Sequence, residues 1–211
     1  MATHPHFLET GTTQEDLAAL LPEILPEQGC WTDEQYLWLT DETNRLIEFT
    51  DGYLEVMPMP TDLHQTVLLF LYESFVSFLR PRGGKVLVAP LRLRLRTGKY
   101  REPDLLLLRK ADDPRRTNRF WRGADVVVEV VSPEKPERDW VIKRADYAEA
   151  GIPEYWIVDP QKETITVLRL QGSAYVAHGE FGGGATATSA LLEGFEVEVG
   201  AVFATGDVAP E

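Results

Sequence analysis

The sequence predicts a mixed α/β (α+β) layered domain, a mixed β-sheet flanked by helices, and three observations carry that prediction. Two runs, Asp104–Leu108 and Asp125–Val131, are apolar apart from Asp104 in the first and Asp125 and Glu129 in the second, as in strands covered on both faces. A long stretch after Asp62 repeats apolar residues at helical spacing, and a hairpin signal precedes it. The order of helix, hairpin, helix, three central strands, helix and further strands then fits helices layered on a sheet. With 211 residues, 44% hydrophobic and 26% charged, the chain has the length of one ordinary domain and enough apolar content to build its core.

Taken in order, residues 1–30 are acidic and carry Pro5, Pro22 and Pro26, so they read as an N-terminal arm with a short helical piece at Asp16–Leu21. A single domain is expected over 31–205, with 206–211 as a tail. Thr32 followed by Gln35 forms the pattern of a capping box opening a helix over Asp33–Leu39. Arg45–Thr50 and Tyr53–Pro58 read as strands, and Asp51-Gly52 between them suits a two-residue turn with positive φ, which predicts a β-hairpin. Asp62 is placed to cap an amphipathic helix in which Leu63, Val67, Phe70, Leu71, Phe75, Phe78 and Leu79 share a stripe, ending near Pro81 and Gly83-Gly84.

After Lys85–Pro90, the run Leu91–Arg96 alternates strictly. Its three leucines fall on one sheet face and Arg92, Arg94 and Arg96 on the other, which predicts a buried face and a cationic one. The two apolar strands follow, separated by a basic, aromatic loop at Arg109–Arg122. A helix over Glu137–Ala150 stops at Gly151, before a buried strand at Ile152–Asp159. Thr164–Leu170 and Ala174–His178 read as a hairpin or meander, and a last strand is expected at Glu196–Val199.

The formal charge of −13 argues against a uniformly basic coat for nucleic acid. The charge is uneven, however: residues 1–64, 65–122 and 123–211 carry −12, +9 and −10. A basic middle between acidic flanks suits either a local contact with a polyanion or a solvated charged face. Cys30 is the single cysteine, so an intrachain disulfide and a Cys/His zinc cluster are excluded and a cytoplasmic protein is expected. No apolar run approaches the roughly 20 residues that span a bilayer, and the N-terminus lacks the pattern of a signal peptide, so no membrane association is expected. Ser132 lacks a Gly-x-Ser-x-Gly elbow, and Gly182–Gly184 lacks the Lys-Ser/Thr continuation of a phosphate loop.

Acids beside buried strands need partners, because desolvating a carboxylate is costly. Asp104 opens one apolar strand and Glu129 interrupts the other. If these strands are neighbours, their carboxylates converge where Mg²⁺ (or Mn²⁺) would take oxygen ligands; otherwise each acid pairs with an arginine or caps a turn. Lys143, Tyr147 and Ala150 share a helix face by i, i+4 and i+7 spacing, and that face can lie over the end of the Glu129 strand. Two acids and a lysine together suit phosphodiester hydrolysis, whereas a lysine alone more commonly snorkels to the surface.

The segments Tyr100-Arg-Glu-Pro-Asp104, Val128-Glu-Val-Val-Ser-Pro133 and Asp139…Lys143…Tyr147…Gly151-Ile-Pro-Glu-Tyr-Trp-Ile-Val-Asp-Pro160 resemble the Uma2 (DUF820) family of restriction-endonuclease-like proteins, within the PD-(D/E)xK nuclease superfamily. The resemblance runs from Glu34 to Phe203. It implies a restriction-endonuclease-like core with an N-terminal hairpin and a C-terminal strand extension. Asp104 and Glu129 match the two acidic elements and would be metal ligands, with the backbone carbonyl of Val130 as a further one. Val131 stands where a lysine is expected two residues after Glu129, and Lys143 on the next helix matches the position that supplies it instead.

Glu48, in Ile47-Glu48-Phe-Thr-Asp-Gly52, matches a family hairpin acid that would ligate a second metal or accept a proton; the bland reading is an exposed strand glutamate. His64 matches a histidine near the site, contacting phosphate or water, or simply bonding a carboxylate. The implied activity is a Mg²⁺-dependent (or Mn²⁺-dependent) endonuclease acting on DNA. Lys143 would position the attacking water, Arg92, Arg94, Arg96, Arg101 or the 109–122 loop would meet backbone phosphates, and a homodimer would cut two strands. The alternative is a catalytically inactive module of the same fold that binds nucleic acid or protein in a regulatory role. A carboxylate-pair glycosidase also needs two acids, but the lysine and the basic middle disfavour it.

Overall fold

The computed structural model describes residues 25–204; the helical piece expected at Asp16–Leu21 and the tail at 206–211 lie outside them. Helix α1 (Asp33–Asp41) opens on the expected capping box, in which Thr32 accepts from the Gln35 N–H and the Gln35 side chain accepts from the Thr32 N–H at 3.0 Å. Strands β1 (Ile47–Thr50) and β2 (Tyr53–Val56) form the hairpin, with Asp51 and Gly52 at φ 47° and 90°. Gly52 is required for a second reason: a Cβ there would lie 2.3 Å from the carbonyl oxygen of Gly29.

Helix α2 (Asp62–Leu79) carries the predicted stripe, but its cap is Thr61, which accepts from the His64 N–H at 3.2 Å. Asp62 is the first helical residue instead, where its charge favours the helix dipole. A short turn at Arg80–Arg82 containing Pro81 ends it, with Gly83 left-handed at φ 79°.

The single mixed sheet resolves into two large sheets and a small ribbon. Strands β3 (Lys85–Val88), β6 (Leu105–Leu108), β8 (Val126–Val130), β9 (Glu154–Asp159), β10 (Thr164–Gln171) and β11 (Ala174–Phe181) form one sheet in the order β11-β10-β9-β8-β6-β3. Only the β8–β9 pair in it is parallel, joined by a π-helical turn at Arg138–Lys143 that runs into α3 (Arg144–Glu149). The second sheet joins the hairpin to β4 (Arg92–Arg96), β5 (Lys99–Arg101) and β7 (Phe120–Trp121) in the order β2-β1-β5-β4-β7. The doubly apolar strands take the middle of the first sheet, whereas the leucine/arginine strand β4 goes where one face meets core and the other meets acids.

Helix α2 covers one face of the first sheet, where Val67, Leu71 and Phe75 pack with Leu105, Val128 and Trp156. The opposite face holds Leu106, Val127, Tyr155 and Ile157 against Tyr147 and Trp121. Each fully buried Leu or Phe of this kind contributes about 1.5–3 kcal/mol. At the C-terminal end, β12 (Thr186–Thr188) pairs with β13 (Glu196–Glu198), and Val199 begins α4 (Val199–Ala204) rather than closing a strand. Among the described residues no helix is long and apolar enough to cross a membrane.

Candidate functional site

The antiparallel register of β6 on β8, Leu105 opposite Val128, carries Asp104 level with Glu129. Asp104 Oδ2 accepts from the Val130 N–H at 2.7 Å, which ties the carboxylate to the neighbouring strand. The β8–β9 crossover then lays the π turn and α3 over the end of β8, as its parallel pairing demands. Lys143 reaches Glu129 Oε2 at 2.8 Å, and Tyr147 donates to Glu129 Oε1 at 2.5 Å, so the predicted helix face does converge on the interrupted strand.

Lys143 is the centre of the cluster. Its Nζ lies 2.8 Å from Glu129, 3.3 Å from Asp139 and 3.6 Å from Glu48, and all four side chains are buried. Burial by itself would lower the lysine's pKa, but Glu129, Glu48, Asp139 and Asp104 outweigh it and hold the ammonium well above its ordinary range. Burial pushes Glu129 and Asp139 up, opposed by Lys143 and reinforced by the other carboxylates. Lys143 is therefore a fixed buried charge and not a snorkelling one.

Glu48 is 4% exposed, which excludes the solvent-facing strand glutamate. Arg101 Nε lies 3.5 Å from its Oε2. His64, in the first turn of α2, places Nε2 3.2 Å from Asp104 Oδ2, while its buried Nδ1 has no hydrogen-bond partner among the described residues. Burial lowers the His64 pKa, and the contact with Asp104 more than restores it, leaving it above the usual imidazole value. Glu102 lies close by, its Oε2 accepting from the Ile47 N–H at 2.9 Å. Burial above all, against that bond and with Glu48 adding, pushes it up to about 8.

These groups surround a cavity of about 210 Å³, lined by His64, Glu102, Asp104, Glu129, Asp139 and Lys143 and also by Val130. Glu48 sits behind Lys143 and is not part of its wall. Sequence reasoning misses Glu102 and Asp139 as members of the cluster. Asp139 carried a signal, standing four residues before Lys143, whereas Glu102 looked like one more charge beside Asp104.

The four arginines expected to face phosphate do not line this cavity. Arg92 pairs with Asp41 at 2.9 Å, Arg96 with Asp51 at 2.7 Å, and Arg101 with Asp146 at 2.6 Å; Arg94 bonds Thr97 and lies 3.7 Å from Asp33. The cationic face of β4 is thus matched by acids of α1 and the hairpin. In the 109–122 loop, Arg115 pairs with Asp113 and Asp125, and Arg119 with Asp41.

Among the described residues no three Asp, Glu, His or Cys side chains are spaced to ligate one ion together. The donor chemistry nevertheless fits a hard cation: Asp104 and Glu129 offer carboxylate oxygens on one cavity wall, and Asp104 Oδ1 makes no hydrogen bond among the described residues. A family model described as "Uma2: Putative restriction endonuclease" matches residues 33–200. No curated protein matches the chain. A crystal structure described as a "putative nuclease belonging to DUF820 from Anabaena variabilis ATCC 29413" is 20% identical, covers 83% of this chain and 98% of its own, and superimposes with a TM-score of 0.68, a likeness of fold.

Proposed function

Because the chain belongs to the Uma2 family, we propose that its cavity is the active site of a Mg²⁺- or Mn²⁺-dependent endonuclease that hydrolyses DNA phosphodiester bonds. The observation that carries this reading is the meeting of Asp104 and Glu129 on adjacent strands, with Lys143 2.8 Å from Glu129. Asp104 and Glu129 would hold the cation, with the Val130 carbonyl as a further oxygen donor. Bound there, the cation supplies Lewis acidity toward a phosphoryl oxygen and makes water easier to deprotonate.

The protein's own groups have separable tasks. Lys143 replaces the lysine missing at Val131; its permanent charge orients a water or offsets charge building on the phosphoryl oxygens. Glu48 and Asp139 fix the Lys143 ammonium from behind and from one turn earlier. Tyr147 fixes one oxygen of Glu129 and leaves the other to Lys143. His64 contacts Asp104 Oδ2, the same oxygen that accepts from the Val130 N–H.

The test is conversion of supercoiled plasmid by the purified protein with Mg²⁺ or Mn²⁺. Nicked product is expected from a monomer and linear product from a dimer, with loss of both in EDTA or on Asp104→Ala. Equal cleavage by wild type and variant would refute the assignment.

A further inference from the structure

The cations that do line the cavity, apart from Lys143 and His64, are Lys135 and Arg138. Lys135 stands between β8 and the π turn and Arg138 opens that turn, and both also line a second cavity of about 260 Å³ that shares Met57, Pro58 and Ser132 with the first. They therefore stand where the cavity that holds Asp104 and Glu129 adjoins the second one. Lys143 is already shared among three carboxylates, whereas the one acid paired with Lys135 and Arg138 among the described residues is Glu55. Glu55 projects from β2 and is half exposed; its Oε1 takes a short contact from Arg138 Nη2 and lies 3.7 Å from Lys135 Nζ. Arg138 itself is 8% exposed, a largely desolvated guanidinium whose ionic partner among the described residues is the half-exposed Glu55 of β2.

A guanidinium and an ammonium converging on one oxyanion is an arrangement that carboxylate and phosphate both satisfy. Resting on the endonuclease reading, we infer that Lys135 and Arg138 form the subsite for a backbone phosphate of the DNA strand next to the scissile bond, and that Glu55 occupies this subsite until the strand displaces it. Glu55 then acts as a built-in competitor. This places phosphate recognition on the β8–π-turn segment and not on the internally neutralised arginines of β4.

The test is equilibrium binding of a short fluorescein-labelled duplex, and of its single strand, to the full chain in Ca²⁺ buffer over a series of salt concentrations, with plasmid cleavage in Mg²⁺ measured in parallel. Glu55→Gln should tighten binding about 2- to 5-fold, as expected for releasing one partly exposed ion pair. Arg138→Gln should weaken it roughly 10-fold, and the exposed Lys135→Gln, which cannot upset packing, should weaken it less. Each of the two cation variants should lower the slope of log affinity against log salt by about 1, a readout that a merely structural residue would not move. Whichever nucleic acid shows these shifts is the strand the subsite holds. Failure of wild type to bind either, or unchanged affinity and slope in all three variants, would overturn the subsite. Cleavage with unchanged binding would remove the subsite and keep the nuclease reading; shifted binding without any cleavage would do the reverse.

Discussion

Replacing Lys143 by methionine keeps most of the side-chain volume and deletes the charge that lies 2.8 Å from Glu129, 3.3 Å from Asp139 and 3.6 Å from Glu48, leaving Arg101 to face Glu48 alone. Removing one partner of a buried ion pair typically costs about 3–5 kcal/mol, because the other charge is left desolvated and unopposed. For a chain of this size, that corresponds to a melting point lower by roughly 6–20 °C. The loss depends on pH. Glu129 and Asp139 already have raised pKa values, and without Lys143 they retain protons to still higher pH. An acid whose folded pKa lies above its unfolded one binds protons that the unfolded chain releases, so stability falls as pH rises through that interval. Lys143→Met should therefore be destabilised more at pH 8 than at pH 5. Urea denaturation followed by circular dichroism at both pH values measures this. A loss under about 1 kcal/mol at pH 8, or a larger loss at pH 5, would refute the reasoning.

The same linkage applies to Glu102, which is raised from 4.5 to about 8 by burial. Stability is expected to drain away between those two pH values, by at most about 5 kcal/mol, and Glu102→Gln should flatten that decline in the same denaturation series; an unchanged pH profile would contradict it. Tyr147→Phe removes the donor to Glu129 Oε1 and should cost about 1–3 kcal/mol while raising the Glu129 pKa further, read by urea midpoints and by weaker Mn²⁺ binding in a calorimetric titration. No change in either would show that Glu129 is not held through this hydroxyl.

What could be read in the sequence, and what could not, follows from where each residue finds its partners. Strands β6, β8 and β9 are legible because both their faces are apolar, and this same regularity makes Asp104 and Glu129 stand out. Lys143 and Tyr147 are legible as one helix face, although the π turn that delivers Lys143 leaves no mark in the pattern. Strand β5 is missed because Lys99 and Arg101 look solvated; they are buried on Asp146 of α3, some 45 residues away in sequence. The leucine/arginine alternation of β4 correctly separates its two faces. Whether its cations meet phosphate or protein depends on Asp33, Asp41 and Asp51, acids that local pattern cannot bring to it. Strand β12 and helix α4 are too short to show a period, and Gly200 weakens the helix signal further.

The proposed activity requires a cation between Asp104 and Glu129. The direct measurement is a crystal of the full chain soaked in Mn²⁺, with anomalous scattering recorded. A peak is expected in the cavity within bonding distance of one oxygen from each of Asp104 and Glu129, with Lys143 still against Glu129. A fully soaked crystal with no peak there, or with manganese bound only at other acids, would contradict it.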